Sequence, residues 1–422
     1  LRLKLEVSEG PRATLYSLDQ GGSPISSGET RIDGDRIFAT WPVISARYEG
    51  QLADGRIVGQ FTQGATFPLT FVRDQAASTT VEPLTQAGLA KLRADSGAPA
   101  LAAAALSRTG RRIGFVDGRR AVTRGEAVTI GDKWHVGSNT KSMTATLVAR
   151  AVEAGVIGWN DTVGQVLGAA VAGMKPEFRD VTYRHLLSHR SGLAANIDMA
   201  EFIKFPRESA DARADRAAYA RDVLTRAPAG RREAHFEYSN AGYVVAGAML
   251  EAKLGAPWEK LIHDHVFAPL NMTGAGFGAP GTARAFDQPV GHAANAAGTL
   301  EPFPPGAPAT DNPAVLGPAG RVHATLDDLL KYLSAHCFRS SFLKPASWQM
   351  LHTPPFGGDY CLGLERRGNA LWHNGSNTLW YCEMLADPSR GVVSAAAAND
   401  GRVGNVSVAV GKALTGAAAA VA

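Results

Sequence analysis

Strand-like segments stand at both ends of a long helical stretch, and this order constrains the fold more than any other feature of the chain. Ala98–Ser107 and Arg112–Val116 read as strands, with turns at Gly110 and Asp117-Gly118, and a short third strand is expected near Trp134. From Ser138 to about Leu270 the pattern is mostly helical. In Lys141–Val156, the residues Val148, Ala151, Val152 and Gly155 fall at i, i+3, i+4 and i+7, with Gly155 as the stop. A proline-rich loop over 302–318 and a helix at Thr325–Ala335 follow. Strands then return at Leu362–Glu365, Trp380–Ala386 and Val392–Ala398, and a short Ala-rich helix at about Val403–Leu414 closes the chain. One antiparallel sheet built from both ends of this segment, flanked by helices and carrying an inserted helical lobe, accommodates the order. The fold class expected is α+β.

Residues 1–73 are of a different kind. Leu3, Leu5 and Val7 alternate with Lys4 and Glu6, the period of a half-buried strand, and Asp33-Gly34 and Asp54-Gly55 are hairpin-turn dipeptides. Arg56–Phe61 and Thr66–Val72 read as further strands. The expectation is a small all-β domain over 1–73, a meander or partial barrel without a nucleophile–base pair. Its plain role is accessory packing, with substrate gating or oligomerisation as the alternatives. An Ala-Ser-Thr-Thr-bearing linker is expected over 74–83, then a second domain over 84–422 that opens with a helix at Leu84–Arg93.

Composition closes off several classes. Hydrophobic residues make up 45% of the 422 positions and charged residues 19%, enough for a sizeable core. The longest apolar runs, such as Ala100–Leu106, fall far short of the roughly 18 residues of a membrane span. The net charge of +4 is spread over scattered side chains, and Arg111-Arg112, Arg119-Arg120 and Arg231-Arg232 are its densest spots. No basic stripe with interleaved aromatics suggests a nucleic-acid partner. Cys337, Cys361 and Cys382 allow at most one bridge, and their spacing does not resemble a zinc site.

Three short motifs carry chemistry. In Ser138-Asn139-Thr140-Lys141, a serine and a lysine three apart share one helix face, so hydroxyl and amine can meet at a helix start whose free N–H groups favour developing negative charge. The lysine serves as base only if burial or nearby positive charge lowers its pKa. About one Ser-x-x-Lys arises by chance in a chain of this length at ordinary composition. A second copy, Ser341–Lys344, is set aside because Pro345 pushes Lys344 out of the helical region. Tyr238-Ser239-Asn240 precedes an apolar helix ending at Gly255: the phenol could relay a proton and the amide could bind substrate. An ordinary turn with Asn240 as helix cap is the alternative. His373-Asn374-Gly375-Ser376 lies between expected strands, where a glycine admits a ligand close to the backbone; a plain hairpin turn is the alternative there. His185 and His189 read as structural, because no Glu follows His185 as a zinc-protease helix requires. His263 and His265 read as surface. Trp372, Trp380 and Tyr381 suit a pocket lining or the core equally.

Ser and Lys, Tyr and Asn, His and Gly, in that order, resemble the serine β-lactamase and penicillin-binding protein superfamily, specifically its class C β-lactamase-like branch of β-lactamases, D-stereospecific peptidases and esterases. The flanks add to the resemblance. Trp134–Lys141 is similar to the family's strand-to-helix entry, Arg184–Leu193 to its HLLTHTSGL segment, and Gly317-Pro318-Ala319-Gly320 to its loop before a late helix. The resemblance covers about 84–415. It implies that Ser138 is the acylated nucleophile and that Lys141 and Tyr238 share general-base and general-acid duty, with the base undecided. It implies further that Asn240 contacts the substrate amide or acyl side, and that His373, Asn374 and Gly375 form the strand edge along which substrate lies. The backbone N–H groups of Ser138 and Ser376 would form the oxyanion hole. No metal and no cofactor is implied. Class C enzymes usually carry Lys-Thr-Gly where this chain has His373-Asn374-Gly375, and a neutral imidazole holds a substrate carboxylate less well than a lysine. The expected function is therefore a serine hydrolase of a small ester or a D-amino-acid-containing peptide, acting through an acyl-enzyme on Ser138. A class C β-lactamase and an acylated penicillin-binding sensor are the alternatives. The expected partner is a small-molecule or short-peptide substrate. The start at Leu1 together with the resemblance sets a periplasmic or secreted location, with an export signal removed, as the expectation.

Overall fold

Residues 1–80 and 81–422 form two units in the computed structural model of the chain, which describes residues 3–8, 12–17, 24–72, 81–307 and 309–422. In the first unit, β1 (Leu3–Ser8), β2 (Arg12–Ser17) and β3 (Pro24–Ser26) make a three-stranded antiparallel sheet. A five-stranded meander follows: β4 (Glu29–Asp33), β5 (Arg36–Trp41), β6 (Ala46–Ala53), β7 (Arg56–Gln63) and β8 (Ala65–Val72). Ala13, Leu15, Trp41, Tyr48 and Phe61 form the core of this unit, and the buried Tyr48 hydroxyl is held by the carbonyls of Ile57 and Leu69 at 3.0 Å each. Asp54-Gly55 forms the expected hairpin turn between the paired Ala53 and Arg56. The other turn falls one residue later than expected, at Gly34-Asp35, because Asp33 pairs with Arg36. The linker expected over 74–83 lies, up to residue 80, outside the described residues.

The second unit opens with α1 (Gln86–Ser96), capped by the Thr85 hydroxyl. Its chain then lays down β9 (Ala100–Ser107), β10 (Arg112–Gly118), β11 (Lys133–His135), α2 (Thr140–Glu153), β12 (Gly276–Phe277), β13 (Gly291–Ala294), β14 (Leu300–Phe303), β15 (Val322–Thr325), β16 (Glu365–Arg367), β17 (Ala370–Ser376), β18 (Tyr381–Asp387) and β19 (Val392–Ala398). The main sheet is antiparallel in the order β10-β9-β19-β18-β17-β16, so both ends of the unit do meet in one sheet. β9 and β19 pair Ala104 with Ala395 and Ala103 with Ala396. Neither strand alternates apolar with polar, because both faces are covered. Ala102, Ala104, Ala395 and Ala397 face one core with Met143 and Leu329, whereas Leu101, Ala103, Ala396 and Ala398 face another with Leu89, Val406 and Val410. Alanine is a poor strand former, but its small side chain lets helices lie close on both faces.

Three expectations are corrected. The strand near Trp134 is not part of the main sheet; β11 pairs with β15 in a small separate sheet. Leu362–Glu365 is not a strand, since pairing begins only at Glu365. The His373 motif does not lie between strands but makes up the last four residues of β17, the strand placement that the resemblance implied. The closing helix also runs longer than expected, Val403–Val421. The proline-rich loop contains a turn of 3₁₀-helix, Ala314–Leu316, and a short helix, Gly317–Gly320. β16 pairs with β17 only as far as Trp372, so beyond that residue the outer edge of β17 is open. The turn of residues 137–139 that precedes α2 packs against the same end of β17.

Candidate active site

Ser138 sits in a single 3₁₀ turn, Gly137–Asn139, that leads into α2. Side chains anchor this turn. Asn139 donates to the carbonyls of Val136 (2.8 Å) and Cys382 (3.1 Å), the Thr140 hydroxyl donates to Gly137 O (2.7 Å), and the Thr144 hydroxyl donates to Pro318 O (2.7 Å). Two glycines allow the turn to touch β17. Gly137 has φ +53°, and a Cβ on it would lie 2.4 Å from Ser376 N. A Cβ on Gly375 would lie 2.2 Å from Val136 O and 2.3 Å from Ser138 N. No side chain fits at either position, so the backbones of 136–138 and 375–376 are in direct contact.

Lys141 is fully buried, and its Nζ has three neighbours: Ser138 Oγ at 3.0 Å, Asn240 Oδ1 at 2.7 Å and Ala319 O at 2.8 Å. None is a carboxylate. Burial without a counter-charge holds the Lys141 amine well below the usual lysine range. The rings of Tyr238 and Tyr243 lie 4.8 and 5.5 Å from Nζ. Burial pushes the Tyr238 phenol well up, and a hydrogen-bonding interaction with Ser138 offsets only part of that rise.

Asn240 is the first residue of the helix Asn240–Leu254, but it is not the cap. Ser239 caps the helix, its hydroxyl accepting from Gly242 N at 2.9 Å. The Asn240 amide is thereby free to face the site, accepting from Lys141 and donating to Asn196 Oδ1 at 3.1 Å. His373 is buried behind the strand edge. Its Nδ1 donates to Asn374 O (2.5 Å) and its Nε2 accepts from the Tyr360 hydroxyl (3.0 Å). Burial first, and the nearby Lys141 second, push its pKa down to about 3, so the ring carries no charge near neutral pH. Asn374 lies in the strand as expected, but only its backbone is on the side of Ser138. Its side chain lies on the other face of β17, donating to the Tyr381 hydroxyl (3.0 Å), which in turn donates to Glu383 (2.8 Å). Strand alternation dictates this, because Asn374 stands between His373 and Gly375, which face the turn at Ser138.

The structure thus brings together Ser138, Lys141, Tyr238, Asn240, Gly375 and Ser376, keeps His373 just behind them, and turns the Asn374 side chain away. A cleft of about 260 Å³ opens on Ser138, Asn240 and Ser376, with Asn196, Ile197, Met199, Phe202, Leu316 and Asn377 among its walls. No charged side chain lines it among the described residues. Trp372, Trp380 and Tyr381 do not line it. Trp380 is core, stacked on His135 at 5.6 Å, while Trp372 and Tyr381 share the Glu383 cluster on the far face. The second Ser-x-x-Lys does not form a site: Lys344 is extended, at φ −66° and ψ 153°, and precedes a helix beginning at Pro345.

Sequence reasoning missed several neighbours. His189 packs its ring 4.3 Å from that of Tyr238, and its Nδ1 accepts from Ser239 N at 2.9 Å, holding the second motif in place. His185 is not its partner but bonds to Thr182 and Glu233. Tyr360, the Ala319 carbonyl and Asn377 were also missed. The segments holding His189 and Ala319 carried a signal through their resemblance to family flanks; Tyr360 and Asn377 carried none.

A family model described as Beta-lactamase matches residues 85–416. Penicillin-binding protein 4 of Amycolatopsis lactamdurans is 32% identical over 217 residues, 50% of this chain and 52% of that protein, so the chain spans about half the length of that curated relative. Two solved structures share the fold. D-amino acid amidase from Ochrobactrum anthropi SV3 has a TM-score of 0.63 at 20% identity, over 78% of this chain and 96% of that one. A D-stereospecific amidohydrolase from Streptomyces sp. has a TM-score of 0.61 at 22% identity, over 78% and 98%.

Proposed function

Because the chain belongs to the Beta-lactamase family, we propose that its second unit is a serine hydrolase that cleaves a small ester or a D-configured amide through an acyl-enzyme on Ser138, with residues 1–73 as an accessory domain. One observation carries the reading: Lys141 Nζ lies 3.0 Å from Ser138 Oγ while its other two neighbours are carbonyl oxygens that only accept. Burial without a counter-charge favours the neutral amine, which gives its two N–H groups to Asn240 and Ala319 and turns its lone pair to the Ser138 O–H. On this reading Lys141 is the base. Tyr238, whose phenol keeps its proton, is the acid.

In this mechanism Lys141 takes the hydroxyl proton as Ser138 Oγ bonds to the substrate carbonyl carbon. The negative oxygen faces the N–H groups of Ser138 and Ser376, donors of a kind worth about 3–4 kcal/mol each in other hydrolases. Tyr238 protonates the leaving oxygen or nitrogen as its bond to carbon breaks, and is reprotonated from Lys141. Water then attacks the ester on Ser138, with the same groups handling its protons, and releases the acid. The uncharged cleft and the neutral His373 favour an uncharged substrate over a β-lactam, which carries a carboxylate beside its leaving nitrogen. The D-stereospecific relatives motivate the configuration of the amide substrate. A periplasmic or secreted location rests on the family alone; among the described residues no helix is long and apolar enough to cross a membrane.

The test sets a chromogenic ester, a D-amino acid anilide and a chromogenic cephalosporin beside Ser138→Ala, with mass spectrometry of the intact protein. Turnover of the ester or anilide, lost in the variant, supports the proposal. Stoichiometric acylation with no turnover favours the sensor, and wild-type rates in Ser138→Ala overturn the nucleophile.

A further inference from the structure

Three segments wall the reacting serine: the strand-to-turn passage through His135 and Gly137, the end of β17 at Ser376-Asn377, and the Gly317–Gly320 helix whose Ala319 carbonyl meets Lys141. They are far apart in sequence, yet each is tied to one buried carboxylate that lies outside every motif. Asp311 is 5% exposed. Its Oδ1 accepts from the Asn377 amide at 3.0 Å and from Asn312 N at 2.7 Å. His135 Nε2 lies 3.1 Å from Oδ1 and 3.3 Å from Oδ2. Oδ2 also accepts from Arg321 Nε at 3.2 Å.

The proton positions make these links directional. His135 Nδ1 accepts from Gly137 N at 3.1 Å, so the ring presents its proton at Nε2, toward Asp311. A chain therefore runs from Asp311 through His135 to the backbone N–H of Gly137, the residue before Ser138. Asn377 follows Ser376, and its Oδ1 accepts from Leu379 N and Trp380 N at 3.2 Å each, closing the loop after β17. Arg321 follows Gly320 and reaches Glu208 at 3.1 Å with its other end. His135, Asn377 and Arg321 are all at most 5% exposed. Burial alone would raise the Asp311 pKa, but His135, Arg321 and Asn377 together outweigh it and hold the group at about 2.

We propose that Asp311 is the positioning residue of the oxyanion hole: one buried carboxylate that fixes, through His135 and Asn377, the separation between the N–H groups of Ser138 and Ser376, and through Arg321 the carbonyl that orients Lys141. This rests on the reading of Ser138 as nucleophile. Asp311 touches no reacting atom; it acts on catalysis because a misplacement of about 1 Å at the reacting centre can cost on the order of 100-fold in rate.

Asp311→Asn keeps the shape but turns one acceptor into a donor facing donors. The test measures kcat and KM for the chromogenic ester per site labelled at end point by a fluorophosphonate, together with thermal unfolding, in wild type, Asp311→Asn and Ser138→Ala. The expected result is a fall in kcat of about 10- to 100-fold per labelled site with KM within about twofold. A kcat per labelled site equal to wild type, whatever the thermal stability, overturns the proposal while leaving the nucleophile intact; activity surviving in Ser138→Ala overturns the nucleophile instead. Should Asp311→Asn not fold, Asn377→Ala severs only the strand-edge link. It is expected to lower kcat about 3- to 10-fold with KM unchanged, and an unchanged kcat there overturns the proposal equally.

Discussion

Arg216 and Lys141 are both buried basic side chains of the second unit, and they are held in opposite ways. Arg216, on the helix Ala212–Thr225, is met by two carboxylates: Glu251 at 2.5 and 2.9 Å and Glu259 at 2.7 and 2.9 Å. Burial alone would lower its pKa, but the two carboxylates reverse this and the net shift is upward. Lys141 meets a hydroxyl and two carbonyl oxygens, with no carboxylate, and its pKa falls. A buried base with paired charges has its proton locked and serves as a fastener. A buried base given only neutral acceptors is driven to share its proton, and the nearest group able to exchange one is Ser138. The contrast separates structure from chemistry without reference to any motif.

Two substitutions break or sharpen it, in order of size. Lys141→Arg keeps a basic side chain but supplies a group that does not deprotonate in proteins. With Lys141 as the base, ester turnover falls by about 1000-fold or more, comparable with Ser138→Ala. A variant that keeps a tenth of the wild-type kcat would remove the distinction between the two nodes. Arg216→Ala has the opposite signature. It leaves Glu251, 2% exposed, without its cation, a change that costs about 3–5 kcal/mol when a buried pair loses one partner. The thermal midpoint should drop by about 6–20 °C while kcat per labelled serine stays within about twofold. A collapse of kcat at unchanged stability would show that the ion-pair node reaches the site.

The pH dependence follows from the same difference. Lys141 accepts a proton only when unprotonated, so kcat/KM should climb by up to tenfold per pH unit through its pKa and level off above it. Its pKa is depressed below the ordinary 10.5, so the rise should be complete well before the pH at which a solvent-exposed lysine titrates. Tyr238 is raised and adds no falling limb in the neutral range. The same shift has a stability sign. Between the folded and unfolded pKa values of Lys141 the unfolded chain binds the extra proton, so this residue's contribution to stability increases with pH across that window and is lowest below it. A rate profile whose ascending limb centres near 10 would place Lys141 among ordinary lysines.

Local signals made much of this legible. The alternation at Leu3–Val7, the Thr85-capped α1 and the i, i+3, i+4 face of α2 are set by neighbours in sequence. Order alone told that β9 and β19 share a sheet, since both ends of the second unit offered strands. What was not legible is contact-borne. From the residues alone, His373-Asn374-Gly375 left a plain hairpin turn open and only the resemblance implied a strand edge; what makes the segment a strand is its pairing with β18 from Leu371 to Ser376. Asp311 sits in a proline-rich loop and draws its role from His135, 176 residues earlier, and Asn377, 66 residues later. No periodicity or spacing encodes such a meeting. The alternation rule could have turned Asn374 away from Ser138, but only once the segment was known to be a strand.

The smallest effect expected is at His373, and it tests whether the contrast between the nodes extends to substrate choice. His373 lies close enough to Lys141 that the lysine's charge is one cause of its lowered pKa. The cleft otherwise offers a substrate carboxylate no cation among its described walls. His373→Lys would add a second amine beside Lys141, again without a carboxylate partner, and at the price of the Tyr360 hydrogen bond. Two like charges in one low-dielectric site repel, so Lys141 should lose its proton more readily and the ascending limb of kcat/KM should move to lower pH. At the same time, the ratio of kcat/KM for a carboxylate-bearing substrate to that for a neutral ester should rise by about 3- to 10-fold, the effect of roughly 1 kcal/mol of added attraction. The two readouts are independent: the limb reports coupling between the amines, and the ratio reports whether position 373 meets the substrate's carboxylate. A shifted limb with an unchanged ratio would mean that position 373 feels Lys141 but not the substrate, and the preference for uncharged substrates would then have to come from the apolar walls at Ile197, Phe202 and Leu316 alone.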